Sequence, residues 1–378
     1  MANLLDYLEQ YADTSLETLP FNELDAALLG QIVYLPLAEA FEKSDSITMR
    51  EAALILKDHP ANKPYEFLLR ARLKTLQLAG GSKRFEDVIL CYFRDDIDDL
   101  VEKQFRAVTY MISGAAVITF SGTDLTLAGW KEDFNMAFKS PVPSQREAVE
   151  YLEMVADETP LPLVLTGHSK GGNLAIYAGV FSGGTVRERI RRIYALDGPG
   201  LRQQDCARLN DLEFVPPIEN YLPKRSIVGI LFNQMEPFHV VQSHAPGLLQ
   251  HDIYRWQIKG ALFRRVKGLS SRSCFYDMAL DDWLVSLPED DSRLFVETLY
   301  DILSSARQET LGGIIRGGRK SARRMLAAQA SLSPSVNQAL KRIMKKLFAG
   351  SRRSVLRYFR SKIGWRKDDE EVAQSARR

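Results

Sequence analysis

The chain has 378 residues, of which 45% are hydrophobic and 26% are charged, which is typical of a globular protein and excludes a disordered or fibrous one. The three cysteines, Cys91, Cys206 and Cys274, are far apart and match neither a disulfide framework nor a metal-binding spacing. The N-terminus lacks the basic and apolar parts of a signal peptide, and no apolar run approaches the roughly 20 residues of a membrane span. We therefore expect a cytoplasmic protein.

The net charge of +2 conceals an uneven distribution along the sequence. Residues 301–378 contain 19 Lys and Arg against 6 Asp and Glu, so this segment carries about +13. The preceding 300 residues then carry about −11. An acidic body followed by a basic tail indicates a charged partner and does not indicate a fold.

The predicted elements change in character along the chain. Residues 1–64 read as a helical extension, because 25–29 and 49–56 have helical apolar spacing. From about residue 85, short strands alternate with helices, which indicates a mostly parallel sheet covered on both faces. The predicted strands are 85–93, 104–112, 115–120, 161–165, 192–196, 227–232, 239–241 and 253–258, with a helix over 144–155.

This pattern divides the chain into three parts. We predict an N-terminal helical extension over 1–64 and an α/β domain over 65–300. We predict a basic helical region over 301–378, with a disordered end.

The most informative motif is G-x-S-x-G at residues 167–171, between a strand-like apolar run and a helix-compatible run. A strand, a tight turn and a helix form the setting of a nucleophile elbow, in which the serine adopts a strained backbone. Side chains at Gly167 and Gly171 would collide with the neighbouring strand and helix. The motif makes Ser169 the candidate nucleophile, and the alternative is a serine in an ordinary glycine-rich turn.

A nucleophilic serine needs a histidine that takes its proton and an acid that orients the histidine, in the chain order Ser, acid, His. Of the five histidines, His239, His244 and His251 follow the elbow. His251 lies in a loop after the last clear core strand, where a base can reach across the sheet edge, so we predict it as the base. His239 and His244 bound an apolar run and read as strand-end or surface residues.

The acid has two main candidates. Asp197 directly follows the strand at 192–196, at the sheet edge where active sites form, and is preferred. An aspartate before Gly-Pro is also a common turn residue. Glu236 is the second candidate and Asp205 the third.

Two backbone amides are needed to stabilise the oxyanion of the reaction. One is expected from Lys170, the residue after the serine. The other is expected from the loop at 120–124, where Thr123 offers both an amide and a hydroxyl. The alternative for this loop is a plain turn.

These motifs resemble the class 3 lipase branch of the α/β-hydrolases, in which an R-G-T or R-G-S motif is followed by W-x-x-D and G-H-S-x-G-G. The matching residues are 121–123, 130–133 and 167–172. Residues from about 20 to 285 look more closely like a family of uncharacterised bacterial lipase-like proteins. The stretches in common are GTDLTLAGWKEDFNMAF at 122–138, ALDGPG at 195–200 and QHDIYRW at 250–256.

The resemblance implies an α/β-hydrolase fold with Ser169 as the nucleophile, His251 as the base and Thr123 in the oxyanion hole. The sequence departs from class 3 lipases at Ser121, where those lipases commonly have a structural arginine. It also departs at the acid, because the region that matches the later acid-bearing strand, 224–229, has no carboxylate. Pancreatic-type lipases place the acid just after the next strand in an L-D-P context, and this similarity favours Asp197.

The basic tail contains a predicted amphipathic helix that begins near residue 333, with apolar residues on one face and basic residues largely on the others. Such a helix can lie on an anionic membrane surface, and residues 333–367 are the segment expected to do so. The alternatives are a helix packed on the protein body with a solvated basic face and, as the least favoured partner, nucleic acid.

We therefore predict a carboxylic ester hydrolase, lipase- or esterase-like, that acts through an acyl-serine intermediate on a small-molecule or lipid ester. The predicted chemistry needs no metal or cofactor. One alternative is a catalytically inactive hydrolase-fold binding module. The other is a phospholipase or thioesterase that the basic tail directs to the periphery of a membrane.

Overall fold

The computed structural model describes residues 2–60, 67–98, 101–123, 132–133, 135–136, 139–234, 237–270, 288–306, 311–343 and 345. In these ranges the helices are α1 (Leu4–Gln10), α2 (Glu23–Ile32), α3 (Ala38–Phe41), α4 (Met49–Ile55), α5 (Phe67–Gly80), α6 (Pro143–Glu158), α7 (Lys170–Phe181), α8 (Gly184–Arg189), α9 (Gln203–Leu209), α10 (Glu289–Ser304) and α11 (Leu311–Ser331). Residues 334–343 are also helical. Two short 3₁₀ helices span Gly247–His251 and Ile253–Arg255.

The strands form one large mixed sheet and one small ribbon. They are β1 (Ser46–Thr48), β2 (Ile89–Asp98), β3 (Lys103–Ile112), β4 (Ala115–Phe120), β5 (Leu163–His168), β6 (Ile190–Leu196), β7 (Ile218–Pro223), β8 (Phe238–Val241), β9 (Ile258–Lys259), β10 (Leu262–Phe263) and β11 (Arg265–Val266). The described strands of the large sheet run in the order β1-β2-β3-β4-β5-β6-β7-β8-β11. The strands from β4 to β8 are parallel, and those outside them pair antiparallel.

Successive side chains of each strand point to opposite faces of the sheet. Helices cover both faces, so the parallel centre is buried on both sides. In β5, Val164 packs with α1, α2, α4 and α5 on one face. Its neighbours Leu163 and Leu165 pack with α6 and α7 on the other face. The predicted α/β class with a mostly parallel sheet and helices on both faces is confirmed.

The N-terminal segment also belongs to this architecture. Strand β1 pairs with β2 at the sheet edge, and the buried helix α2 packs on β5. The segment predicted as a helical extension therefore covers one face of the sheet.

Two predicted strands are wrong. Residues 227–232 form turns, with the Leu231 amide bonded to the Val228 carbonyl, and the strand of this region is β7 at Ile218–Pro223. The polar residues and prolines in and around β7 give it no apolar pattern that would predict a strand. It is a strand because it pairs with β6 on one side and β8 on the other. Residues 253–258 begin as a 3₁₀ helix because the Asp252 side chain accepts from the Tyr254 amide at 3.1 Å.

Candidate active site

Ser169 occupies the turn between β5 and α7. Its backbone has φ 59° and ψ −133°, a conformation that costs a non-glycine residue about 1–3 kcal/mol. The Ser169 amide donates to the Leu196 carbonyl at 2.9 Å, and the Ser169 carbonyl accepts from the Gly172 amide at 2.9 Å. These bonds hold the strained turn, which is the geometry that a nucleophile elbow requires.

The two elbow glycines are needed for close backbone approach. A Cβ atom on Gly167 would overlap the carbonyl of Gly171 at the start of α7. A Cβ atom on Gly171 would overlap the carbonyl of Phe120 at the end of β4. The collisions expected from the sequence therefore arise at both positions, with the helix and with the neighbouring strand.

Asp197 and His251 form a hydrogen-bonded pair. Asp197 follows β6, with φ 47°, and His251 ends the 3₁₀ helix at Gly247–His251. The His251 Nδ1 atom lies 2.7 Å from the Asp197 Oδ2 atom. Because an ionised carboxylate only accepts, Nδ1 carries the proton and Nε2 keeps its lone pair. The Nε2 atom of His251 is therefore the ring nitrogen that can accept a proton.

The second carboxylate oxygen of Asp197 is also satisfied. The Asp197 Oδ1 atom accepts from the Ser226 hydroxyl at 2.5 Å and from the Gly229 amide at 3.1 Å. The carboxylate is buried, so these donors replace the water that would otherwise solvate its charge. The turn at 226–229, which overlaps the wrongly predicted strand at 227–232, thus holds the carboxylate in place.

The register of β5 and β6 brings Ser169 beside Asp197. His168 pairs with Leu196, and each is followed directly by the candidate residue at the carboxyl edge of the sheet. The rings of His168 and His251 lie 4.6 Å apart. Within the described chain, Ser169 Oγ and His251 share no hydrogen bond.

His168 connects the elbow to His251. Its Nε2 atom lies 2.8 Å from the His251 carbonyl oxygen, so Nε2 carries the proton and donates. Burial, with a further contribution from nearby His251, holds the pKa of His168 well below its ordinary value, so the ring stays neutral. The Tyr34 hydroxyl donates to the His168 carbonyl at 3.0 Å, and burial raises the pKa of Tyr34 to about 12. Tyr34 lies 134 positions away along the chain and was not predicted.

Two residues are predicted for the oxyanion hole. Thr123 follows β4, and Lys170 is the first residue of α7. The Thr123 hydroxyl donates to Asp133, with 2.6 Å to each carboxylate oxygen. Within the described part of the chain, the backbone amides of Thr123 and Lys170 donate to no protein acceptor. Burial raises the pKa of the Asp133 carboxyl to about 6.

The Lys170 side chain points away from solvent into a buried ion pair. Its Nζ atom donates to Glu132 Oε2 at 2.8 Å and to the Gln104 carbonyl at 2.9 Å. Glu132 also accepts from the backbone amides of Gln104 at 3.1 Å and Ser144 at 3.0 Å. Sequence reasoning recorded Glu132 only within the W-x-x-D stretch and missed its pairing with Lys170.

The other candidate acids and bases either have different contacts or lie outside the described residues. Glu236 lies outside the described residues, and Asp205 accepts from the Ser140 hydroxyl at 2.6 Å. His239 contacts Glu219 at 2.6 Å, and His244 is exposed. Across the described ranges, no group of three or more His, Cys, Asp or Glu side chains could hold a metal ion, and no helix is both long and apolar enough to cross a membrane.

Part of the described basic tail is packed against protein. In the helix at 334–343, Ala339 and Ile343 are buried, whereas Lys341 and Arg342 are exposed. Arg342 pairs with Asp291 of α10 at 2.6 Å. The predicted membrane segment extends to residue 367, and its part beyond residue 345 lies outside the described residues.

The elbow with Ser169 sits at the carboxyl edge of a mostly parallel sheet that helices cover on both faces, and this is the α/β-hydrolase fold. The chain belongs to the Mbeg1-like family, whose model matches residues 79–301. Among solved structures, it is similar to a mutant form of MDLA from Penicillium cyclopium, with 11% identity and a TM-score of 0.36 over 64% of this chain and 83% of that one. A search of curated proteins found no match. The resemblance to a family of bacterial lipase-like proteins implies a bacterial source, and that source stays a prediction.

Proposed function

We propose that this protein is a serine hydrolase that cleaves carboxylic esters through an acyl-serine intermediate. The observation that carries the proposal is the strained Ser169 turn beside the Asp197–His251 pair. A serine alone is a weak nucleophile, and an oriented histidine is the group that activates it. The catalytic role belongs to residues 65–300, with Tyr34 contributed by the N-terminal segment.

In the proposed mechanism, Ser169 Oγ attacks the ester carbonyl while His251 Nε2 takes its proton. The negative charge that develops on the carbonyl oxygen is stabilised by the backbone amides of Thr123 and Lys170. His251 then protonates the departing alcohol, and the acyl group remains on Ser169. Water, activated by the same histidine, releases the acid and restores the serine.

Asp197 acts in this mechanism through His251. Its carboxylate fixes the tautomer that exposes Nε2 and stabilises the imidazolium that forms during attack. The Ser226 hydroxyl and the Gly229 amide keep the carboxylate oriented. The His168 ring donates to the backbone carbonyl of His251, so Asp197 and His168 both hold the base.

We place this activity in the cytoplasm on a small-molecule or lipid ester, and contact of residues 333–367 with an anionic membrane remains part of the proposal. The burial of Ala339 and Ile343 favours a tail helix packed on protein. Binding to anionic vesicles by the full chain and by a chain truncated at residue 300 separates these interpretations. Equal binding by both proteins excludes the tail as a membrane anchor.

The direct test of the hydrolase is labelling with a fluorophosphonate probe, which reacts with activated serines. We expect the wild-type protein to label and Ser169→Ala not to label. Ser335→Ala, a change at an exposed serine, is the matched control and should label normally. A folded wild-type protein that neither labels nor hydrolyses p-nitrophenyl esters would instead be the inactive binding module.

A further inference from the structure

Arg72 of α5 is held beside the candidate active site by two contacts. Its guanidinium carbon lies 3.7 Å from the centre of the Tyr34 ring, a stacked cation–π geometry. Its Nε atom donates to Gln31 Oε1 at 3.1 Å. Both partners come from α2 or the turn after it, so the guanidinium is fixed in position although it is only partly buried.

Tyr34 is the link between this guanidinium and the nucleophile. The Tyr34 hydroxyl bonds to the His168 carbonyl and lies so close to Gly122 that a Cβ atom there would overlap it. The same Cβ position is 3.0 Å from the Cβ atom of Ser169. The guanidinium of Arg72 therefore lies one side chain away from the reacting serine.

The terminal nitrogens of Arg72 have no acceptor among the described residues. The carboxylate that acts electrostatically on Arg72 is Asp252, and it accepts from Arg255 Nε at 3.0 Å and from the Tyr254 amide at 3.1 Å. Arg106 is a second nearby guanidinium, and its charge is paired with Asp95 at 2.8 Å. The guanidinium of Arg72 is thus fixed in position, and its terminal nitrogens make no hydrogen bond to the described residues.

Two further donors around Tyr34 have no acceptor. Gln31 Nε2 and Arg106 Nε are buried and make no hydrogen bond within the described chain. Because Gln31 Oε1 accepts from Arg72, the free end of this amide is the NH₂ group. Buried donors are normally satisfied, so a cluster in which donors exceed acceptors among the described residues, beside the charge of Arg72, is complementary to an anionic oxygen group.

We propose that Arg72 binds an anionic group of the ester substrate, a carboxylate or a phosphate, so that the site prefers negatively charged esters. This inference rests on the proposed function because it names the substrate class of the same site. A planar guanidinium bonds both oxygens of such a group, which a lysine cannot do. Tyr34 and Gln31 orient the guanidinium in advance and so lower the entropic cost of binding.

The test compares charged and neutral esters of matched size. One pair is mono-p-nitrophenyl glutarate against p-nitrophenyl butyrate, which tests a carboxylate on the acyl side. The other is glycerol phosphate monobutyrate against monobutyrin, which tests a phosphate on the alcohol side. For the pair that fits, we expect Arg72→Gln to lower the charged-to-neutral ratio of kcat/KM by about 10- to 100-fold.

The matched control is Arg70→Gln, an exposed arginine on the same helix, which should leave the ratio unchanged. Arg72→Lys should restore only part of the preference, because it keeps the charge and loses the fork. Equal loss toward charged and neutral esters in Arg72→Gln would assign Arg72 a packing role and overturn the inference.

A binding measurement separates this inference from the proposed function. Titration calorimetry of inorganic phosphate and of glutarate into Ser169→Ala protein should detect binding that Arg72→Gln abolishes. If no ester is hydrolysed but this binding occurs, the hydrolase proposal fails and the anion site stands. If esters are hydrolysed with no charge preference and neither anion binds, the anion site is wrong and the hydrolase stands.

Discussion

A hydrogen bond of 2.7 Å joins Asp197 to His251 across 54 positions of the chain. Asp197 reaches it from the end of β6, and His251 reaches it from a 3₁₀ helix beyond β8. The proposed reaction depends on this bond because it decides which ring nitrogen of His251 faces the nucleophile.

Asp197→Asn should lower kcat toward p-nitrophenyl butyrate by about 10⁴-fold with a stable fold. The asparagine amide favours the wrong tautomer of His251, so Nε2 no longer accepts the serine proton. The control is Asp205→Asn, because the Asp205 carboxylate bonds to Ser140. This variant should retain activity. Loss of activity in Glu236→Gln together with full activity in Asp197→Asn would transfer the role of the acid to Glu236.

Lys170→Met should destabilise the protein by about 3–5 kcal/mol in denaturant unfolding, because it leaves the Glu132 carboxylate buried without its cation. Lys170→Met combined with Glu132→Gln should recover much of that loss, because the glutamine removes the buried charge and keeps an acceptor for the Gln104 and Ser144 amides. The control is Lys74→Met, which breaks an exposed pair with Glu9 and should cost at most about 1 kcal/mol. Similar losses at both sites would refute a special role for burial.

The Asp133 carboxyl should make stability depend on pH. Its pKa rises from 3.8 to about 6 through burial, so the folded protein holds this proton more tightly than the unfolded chain. The contribution is present below about pH 4 and is lost as the pH rises through 6, by at most about 3 kcal/mol. Asp133→Asn should remove this slope in unfolding measured across that range. An identical pH profile in the variant would contradict the raised pKa.

Gly167→Ala should prevent formation of the elbow, because its Cβ atom would overlap the Gly171 carbonyl. We expect a loss of at least about 2 kcal/mol in unfolding free energy together with loss of fluorophosphonate labelling. Gly268→Ala is the matched control, since a Cβ atom there meets nothing within 4 Å. Normal labelling and normal stability in Gly167→Ala would mean that the turn tolerates a side chain.

Several parts of the site were predictable because their signals are local. Ser169 lies in a five-residue turn whose sterics involve its immediate neighbours, and strand, glycine and helix patterns mark it without long-range information. His251 was reached by elimination among five histidines. The α/β class, with helices on both faces of the sheet, also followed from the alternation of strands and helices.

Other parts were hidden because they join distant segments. Tyr34 bonds to His168 from the N-terminal segment, 134 positions away. Lys170 pairs with Glu132, 38 positions away. Ser226 holds Asp197 from the position before the wrongly predicted strand at 227–232. None of these contacts leaves a periodic pattern, because each side chain is polar and its partner lies far away in sequence.

The sequence by itself determined the strand, the strained turn and the helix around Ser169, because the steric limits on a few consecutive residues are written in their identities. The tertiary structure decided that Asp197 rather than Asp205 meets His251, and that Arg72 stacks on the ring of Tyr34. The reason is physical: the register of parallel strands and the paths of long connections depend on packing of the whole sheet, and local residue patterns do not specify them.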